Sequence, residues 1–274
     1  MFDRLVLRKI DTLVDNIFSI RQGGAIGKRL QAIGNQDLDR ISSEVNHMLE
    51  DLSISHAKLQ HEAFHDHLTG LGNRRLLLKE LDASFQALKR KESEGFILFL
   101  MDLDDFKDIN DLYGHLAGDY VLKAIATRLS ERTSSPDLTV RLGGDEFAIL
   151  IKSSVVAEAK HLADQFLDAV SRPINWDGIS LSVKASIGIV IANSTADPEN
   201  KPIDWLRKAD IAMYASKNIN SNAYLLFHPD LEINLNERKY IESELLKMIA
   251  DESSEIWNQP KLRPPDSSAS PPEA

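Results

Sequence analysis

The chain contains no cysteine. That excludes disulfide bridges, thiolate nucleophiles and cysteine-bound zinc or iron–sulfur centres. It also lacks a long apolar run: Phe96 to Met101 is the longest, far short of the ~20 residues a membrane-spanning helix needs. Met1 to Ile10 mixes charged and apolar residues, without the hydrophobic segment of a signal peptide. Positive charge is scarce, with 32 Lys and Arg against 42 Asp and Glu and a formal net charge of −10. That balance speaks against general nucleic-acid binding, and a phosphate-ester substrate would need a cation to bring it in. Five of the ten prolines fall between Pro260 and Pro272, among Ser, Ala and Glu, in a tail that cannot bury a core. What remains is a 274-residue chain, 43% apolar. That suffices for one full domain plus a smaller element, or two small ones, in a reducing, cytoplasmic setting.

Three zones follow from the patterning. In about 1–65, Val6, Ile10, Leu13, Ile17 and Ile20 recur at steps of four and three, as do Leu38, Ile41, Val45, Met48 and Leu52. This is the seam of a coiled coil. Gly23, Gly24, Gly27 and Gly34 forbid a continuous helix between the two runs. Two helices joined by a glycine-bearing connector predict a parallel stalk; the competing reading is a two-helix cap on the main domain. In about 66–228, strand and helix patterns alternate. FILFLMDLDDF begins as a buried strand and ends in acids, 115–132 is helical, and TVRLGGDEFAIL reads as two strands around a Gly-Gly turn. Helices over 156–171 and 203–218, a long strand SLSVKASIGIVIA and a short one at AYLLF complete an α+β sheet with antiparallel pairs. The third zone is the tail.

Two acidic segments carry the chemistry. Asp102, Asp104 and Asp105 cluster where a buried strand stops. Carboxylates there are costly unless hydrated or bound to a cation. Mg²⁺ takes a few carboxylate oxygens and completes its shell with phosphate oxygens and water, so an acidic strand end suits a metal–nucleotide site. Taken alone, DxDD reads more readily as a solvated acidic loop. The second segment, Asp145 and Glu146 directly after Gly143 and Gly144, is harder to explain that way, since adjacent acids on a hairpin repel. Together the two acidic turns outline a two-metal clamp for phosphoryl transfer, with Lys107 in reach of the same phosphates.

RLGGDEF, with DLDDFKDINDLYGHLAGDYVL, closely resembles the GGDEF-domain diguanylate cyclases, which join two GTP molecules into cyclic di-GMP. DHLTGLGNRR at 66–75, SIGI at 186–189 and ADIAMYASK at 209–217 match further blocks in the same order. The resemblance implies a palm-like nucleotide-cyclase sheet flanked by helices. It implies Mg²⁺ (with Mn²⁺ as an alternative) held by Asp102, the main-chain carbonyl of Leu103, Asp145 and Glu146. Asp145, or the metal-bound hydroxide beside it, would help deprotonate the attacking 3′-hydroxyl, Glu146 would support the second ion, and Lys107 would steady transition-state charge. Asn110 and Asp119 would read guanine, whose ring imino and exocyclic amino groups offer a donor pair that adenine lacks. His115 would sit near the base or ribose, or else pack on Tyr113. Lys217 would contact phosphate. One domain binds one GTP, so two must face each other, which makes a homodimer the expected partner state.

The resemblance also marks departures. Ser134 and Asp137 occupy the R-x-x-D window of the family's inhibitory product site, with serine in place of arginine. Ser221 stands where the family usually has a phosphate-holding arginine. The stalk resembles a HAMP module, whose longer relatives are membrane sensors, and ESELLKMIADESSEIWNQPK resembles the start of an EAL domain, although no EAL tripeptide occurs. The expected organisation is a HAMP-like stalk at 1–61, a cyclase domain at 62–230, and an EAL-like remnant with a disordered tail at 231–274. The alternative to an active cyclase is a weak or silent GTP-binding regulatory module. His61 and His65 have metal spacing, with His67 near, but the opening helix explains them without a metal; Trp176 and Trp205 read as core.

Overall fold

The structure is a computed structural model, and it describes residues 36–153, 155–193, 201–219 and 221–250. The first stalk helix expected over 6–20, the glycine connector and the proline-rich tail lie outside the described residues. Helix α1 (Gln36–Phe64) bears out the long second stalk helix. Its seam is open in the single chain: Met48 is 68% and Leu52 57% exposed.

Five strands form the central sheet: β1 (Gly95–Asp104), β2 (Leu138–Gly143), β3 (Glu146–Ile151), β6 (Lys184–Asn193) and β7 (Ala223–Leu226), ordered β2-β3-β1-β6-β7. All neighbours are antiparallel except β6 and β7. Strands β4 (Ile174–Trp176) and β5 (Ile179–Leu181) make a separate hairpin. The long strand expected over 180–192 is therefore two, broken at Ser182 and Val183, because its first part pairs with β4 and its second with β1.

The sheet is covered on both faces, and strand alternation decides which residue goes where. Ile97, Phe99, Met101 and Leu103 pack against α4 (His115–Ser130) and α5 (Val156–Ser171). Short helix α3 (Phe106–Tyr113) leads into α4 and adds Phe106 and Ile109. Phe96, Leu98 and Leu100 face the other way, against α2 (Arg74–Lys89) and α6 (Pro202–Ile219). Helix α2 starts where Asn73 Oδ1 accepts the Arg75 and Leu76 N–H groups at 2.9 and 3.2 Å, satisfying donors the helix leaves free. Leu77, Leu81, Phe85 and Leu88 then bury one stripe. Trp205 joins this core against Phe85 and Phe96, whereas Trp176 is only half-buried, beside Tyr120. The chain divides into two compact units, one ending at Phe227 and one beginning at His228. The second holds α7 (Pro229–Ala250). No helix among the described residues is long and apolar enough to cross a membrane.

Candidate active site

One face of β1 changes character along its length. Phe96, Leu98 and Leu100 line the core under α6; at the same alternation, Asp102 and Asp104 continue that face beyond it. Asp104 is only 7% exposed. Its carboxylate accepts from Ser186 Oγ at 2.8 Å and from the Asn222 N–H at 3.2 Å. It therefore ties β1 to β6 and to the turn before β7, a fastening role that DxDD alone did not reveal.

Asp102 is left for something else. The β1–β3 register sets it directly opposite Glu146, and the Asp145 carbonyl accepts the Leu103 N–H at 3.3 Å. The Leu103 side chain is fully buried on the other face, so only its main chain borders this group of acids. Burial raises the Asp102 carboxyl above the usual carboxylate value, Lys217 pulls it back, and Asp145 and Asp104 push it up again. Burial likewise raises Glu146, with Asp102, Asp210 and Asp145 adding to the effect. Glu146 also borders a cleft of about 420 Å³ together with Arg74, Arg207 and Asp210.

Lys217 arrives from the last turn of α6, its Nζ 2.5 Å from Asp102 Oδ1. Burial lowers its pKa, but Asp102 and then Asp104 and Asp145 outweigh this and leave it raised. The approach of α6 depends on Gly188: a Cβ there would lie 2.0 Å from the Ala209 carbonyl oxygen and 2.3 Å from the Met213 nitrogen.

A second ion pair holds the turn. Arg141 Nη1 donates to both Asp66 oxygens at 3.1 and 3.2 Å, while its Nη2 and Nε donate to the Gly144 carbonyl at 2.7 and 3.0 Å. Asp66 also accepts from the Thr69 N–H and Oγ1. Burial raises the Asp66 carboxyl, yet its Thr69 and Arg141 hydrogen bonds prevail and leave it below the usual value. DHLTG and RLGG are thus one device, invisible to a reading that takes the blocks separately. Gly143 and Gly144, at φ 144° and 54°, supply the positive-φ turn expected of them.

The remaining candidates lie on α3 and α4. Asn110 packs over Gly118, where an added Cβ would fall 2.1 Å from its Oδ1. Asp119, the residue after Gly118, is half-buried; His115 opens α4 and is exposed, as is Lys107 near the start of α3. The structure gives Lys107 no hydrogen-bond or ion-pair partner among the described residues, and His115 makes no ring contact with Tyr113. His61 and His65 stack with ring centroids 3.9 Å apart, and His65 Nδ1 bonds the His61 carbonyl at 3.0 Å.

The donor set suits a hard cation. Asp102 and Glu146 are partly buried and opposed across the register; Asp102 adds to the raised proton affinity of Glu146, Asp145 and Asp104 raise that of Asp102, and Lys217 offsets only part of the charge. Among the described residues no three His, Asp or Glu side chains converge into a closed metal cage. An ion that keeps water and phosphate oxygens in its shell asks for fewer protein ligands.

The middle strand of this antiparallel-centred sheet and the neighbouring hairpin end in opposed acids, in a mixed α+β arrangement with helices on both faces. Residues 63–223 match the family model for the diguanylate cyclase, GGDEF domain, and the chain belongs to that family. The diguanylate cyclase TpbB of Pseudomonas aeruginosa is 33% identical over 249 residues, 88% of this chain and 56% of TpbB. The bifunctional diguanylate cyclase/cyclic di-GMP phosphodiesterase MucR of the same species is 31% identical over 227 residues, 83% of this chain and 33% of MucR. The chain thus spans between a third and somewhat over half of these relatives. The GGDEF domain of TpbB (also YfiN) superposes with a TM-score of 0.59 at 35% identity, over 63% of this chain and 99% of that one. The coiled coil and GGDEF domain of DgcB from Caulobacter crescentus shares the fold, with a TM-score of 0.63 at 24% identity over 70% of this chain and 100% of that one. A helical segment beside a GGDEF sheet is common to this chain and the DgcB structure.

Proposed function

We propose that this chain condenses two GTP molecules into cyclic di-GMP with release of two pyrophosphates. The observation that carries the reading is the opposition of Asp102 and Glu146 across β1 and β3, with Asp145 in the adjoining turn and Lys217 beside Asp102. Asp102, the Leu103 carbonyl, Asp145 and Glu146 are the residues to hold Mg²⁺ or Mn²⁺. When bound, the ion would neutralise the triphosphate and the departing pyrophosphate. In the reaction, the 3′-oxygen of each GTP bonds the α-phosphorus of the other, the bridging α–β P–O bond breaks, and the hydroxyl proton passes to Asp145. Asn110 and Asp119 select guanine, which two such contacts can favour by about 1–3 kcal/mol. His115 flanks the base or ribose, and Lys107 and Lys217 carry positive charge toward the phosphates.

A single domain holds one nucleotide, so turnover requires two domains face to face. The exposed seam of α1 supports a parallel homodimer. Residues 1–61 serve as a HAMP-like stalk and 62–230 as the cyclase, while 231–274 begins with a segment like the opening of an EAL domain. One observation favours the second reading, a GTP-binding module with little turnover: Lys217 is already engaged by Asp102, and Ser221 carries no charge. Incubation of purified protein with Mg²⁺ and GTP, with ATP as control, followed by mass identification of products, tests both. Cyclic di-GMP from GTP alone supports the cyclase; GTP binding without product supports the module.

A further inference from the structure

Resting on that reading, we infer that Lys184 is a phosphate-binding residue of this site, supplying with Lys217 the cation pair that grips the terminal phosphates of the nucleoside triphosphate. Lys184 opens β6, and the register sets it directly opposite Asp104 at the end of β1. Alternation puts it on the same face as Ser186 and Gly188, the face over which α6 delivers Lys217. Two lysines from different elements thus reach one end of one sheet face.

Their partners differ. Lys217 pairs with Asp102 and bridges that acid toward the phosphates. Asp104, the acid nearest Lys184 in register, is occupied by Ser186 Oγ and the Asn222 N–H. The Lys184 ammonium turns instead to a neutral group, Ser221 Oγ at 3.4 Å, and has no carboxylate partner among the described residues. A lysine head group opposite a buried aspartate would ordinarily fold onto it. Here the aspartate's hydrogen bonds are made elsewhere, which leaves a full positive charge exposed at the rim of an acid-rich site. A triphosphate is the substrate group that most needs such a charge, since Asp102, Asp145 and Glu146 repel it. Ser221 completes the assignment: its hydroxyl lies at the lysine head, at the position where this chain departs from a cationic pattern. A compact ammonium on a flexible stem can serve phosphate as a point charge from a neighbouring strand.

The test separates this inference from the cyclase reading. Calorimetry with Mg²⁺ and 3′-deoxy-GTP, which lacks the attacking hydroxyl, reports binding alone; GMP reports the guanine and α-phosphate contacts. Lys184→Ala should weaken 3′-deoxy-GTP binding by about tenfold while changing GMP binding less than about twofold, as loss of one charge-assisted contact predicts. Lys184→Arg should retain wild-type affinity, and adding Ser221→Arg to Lys184→Ala should restore it. Lys184 is exposed, so thermal unfolding should be unchanged. Unchanged triphosphate affinity in Lys184→Ala, or an equal loss for GMP, overturns the role of Lys184. Wild-type protein that binds neither nucleotide overturns the cyclase reading itself, and the inference with it.

Discussion

The β2–β3 hairpin carries an acidic group at each end, and the two ends treat their charges in opposite ways. At the Gly143–Gly144 end, Asp102, Asp145 and Glu146 gather with Lys217 as their partial counterweight, and burial and mutual repulsion raise the carboxyls of Asp102 and Glu146. At the far end, Asp137 Oδ1 accepts the Lys152 N–H at 2.9 Å, and the Asp137 N–H donates to the Ser134 carbonyl at 2.8 Å. Lys152 Nζ is 2.5 Å from Ser84 Oγ and 3.9 Å from Glu80. A carboxylate that folding satisfies contributes stability; one left short of partners costs stability and is available for a cation or a substrate. The same residue type is a fastener at one end of the hairpin and, in the proposed reaction, a reagent at the other.

Substituting the acids separates the two roles most sharply. Asp145→Ala should reduce cyclic di-GMP formation by about a hundredfold or more, the scale of losing a positioned proton acceptor. Its unfolding temperature should stay level or rise, because a repelling charge has gone. Product formation near the wild-type rate, measured by mass spectrometry, would place the chemistry elsewhere. Arg141→Ala comes next. It frees the Gly144 carbonyl and Asp66 without touching an acid of the site, and loss of such a supporting contact should lower turnover by about tenfold. The same network predicts a pH effect on stability. The Asp66 carboxyl is lowered in the folded chain, so its contribution is fully present above the ordinary aspartate range and is lost as pH falls through its folded value. Asp66→Asn should flatten the acid limb of a stability–pH profile; an unchanged limb would mean the pair adds nothing.

The comparison also explains what could be read from sequence. Helices α4, α5 and α6 and the hairpin strands were legible, because their periodicity is local and their apolar faces are unambiguous. The acids of the site were legible as residue types in adjacent turns. Three features were not. Strand β6 was merged with β5, since both are apolar and only their pairing partners separate them. The Asp66–Arg141 pair joins residues 75 positions apart. Lys184 sits in an ordinary strand pattern, and only register sets it opposite Asp104. Nor does DxDD disclose that Asp104 is consumed internally while Asp102 is not. Long-range pairing decides these, and a linear pattern does not encode it.

At the far end, Asp137→Ala should cost about 1 kcal/mol of stability, the usual worth of one hydrogen bond, and leave turnover unchanged. Denaturant titration beside an activity assay checks both halves. A tenfold fall in rate with no loss of stability would reverse the roles assigned to the two ends.

The smallest expected effect concerns product feedback, for which the resemblance makes the Ser134 to Asp137 window the proposed inhibitory position. An arginine there would make a planar, permanently charged bidentate contact to a dinucleotide; serine offers one neutral hydroxyl. The neighbouring Arg132 already spends one of its donors inward, its Nη1 donating to the Arg128 carbonyl at 2.9 Å. Asp137 Oδ1 already accepts the Lys152 N–H, so a ligand would meet an aspartate that is partly engaged. Low micromolar cyclic di-GMP should therefore leave the wild-type rate nearly untouched. Ser134→Arg restores the charge but not a free aspartate, and Ser134 is exposed, where screening weakens an ionic contact. The expected gain in product binding is about threefold, within the range of an exposed ion pair. A Ser134→Arg variant showing much tighter binding would mean that Asp137 releases the Lys152 amide when the product arrives. Tight, stoichiometric binding by the wild type, lost in Asp137→Ala, would mean that the far end of the hairpin is a ligand site after all.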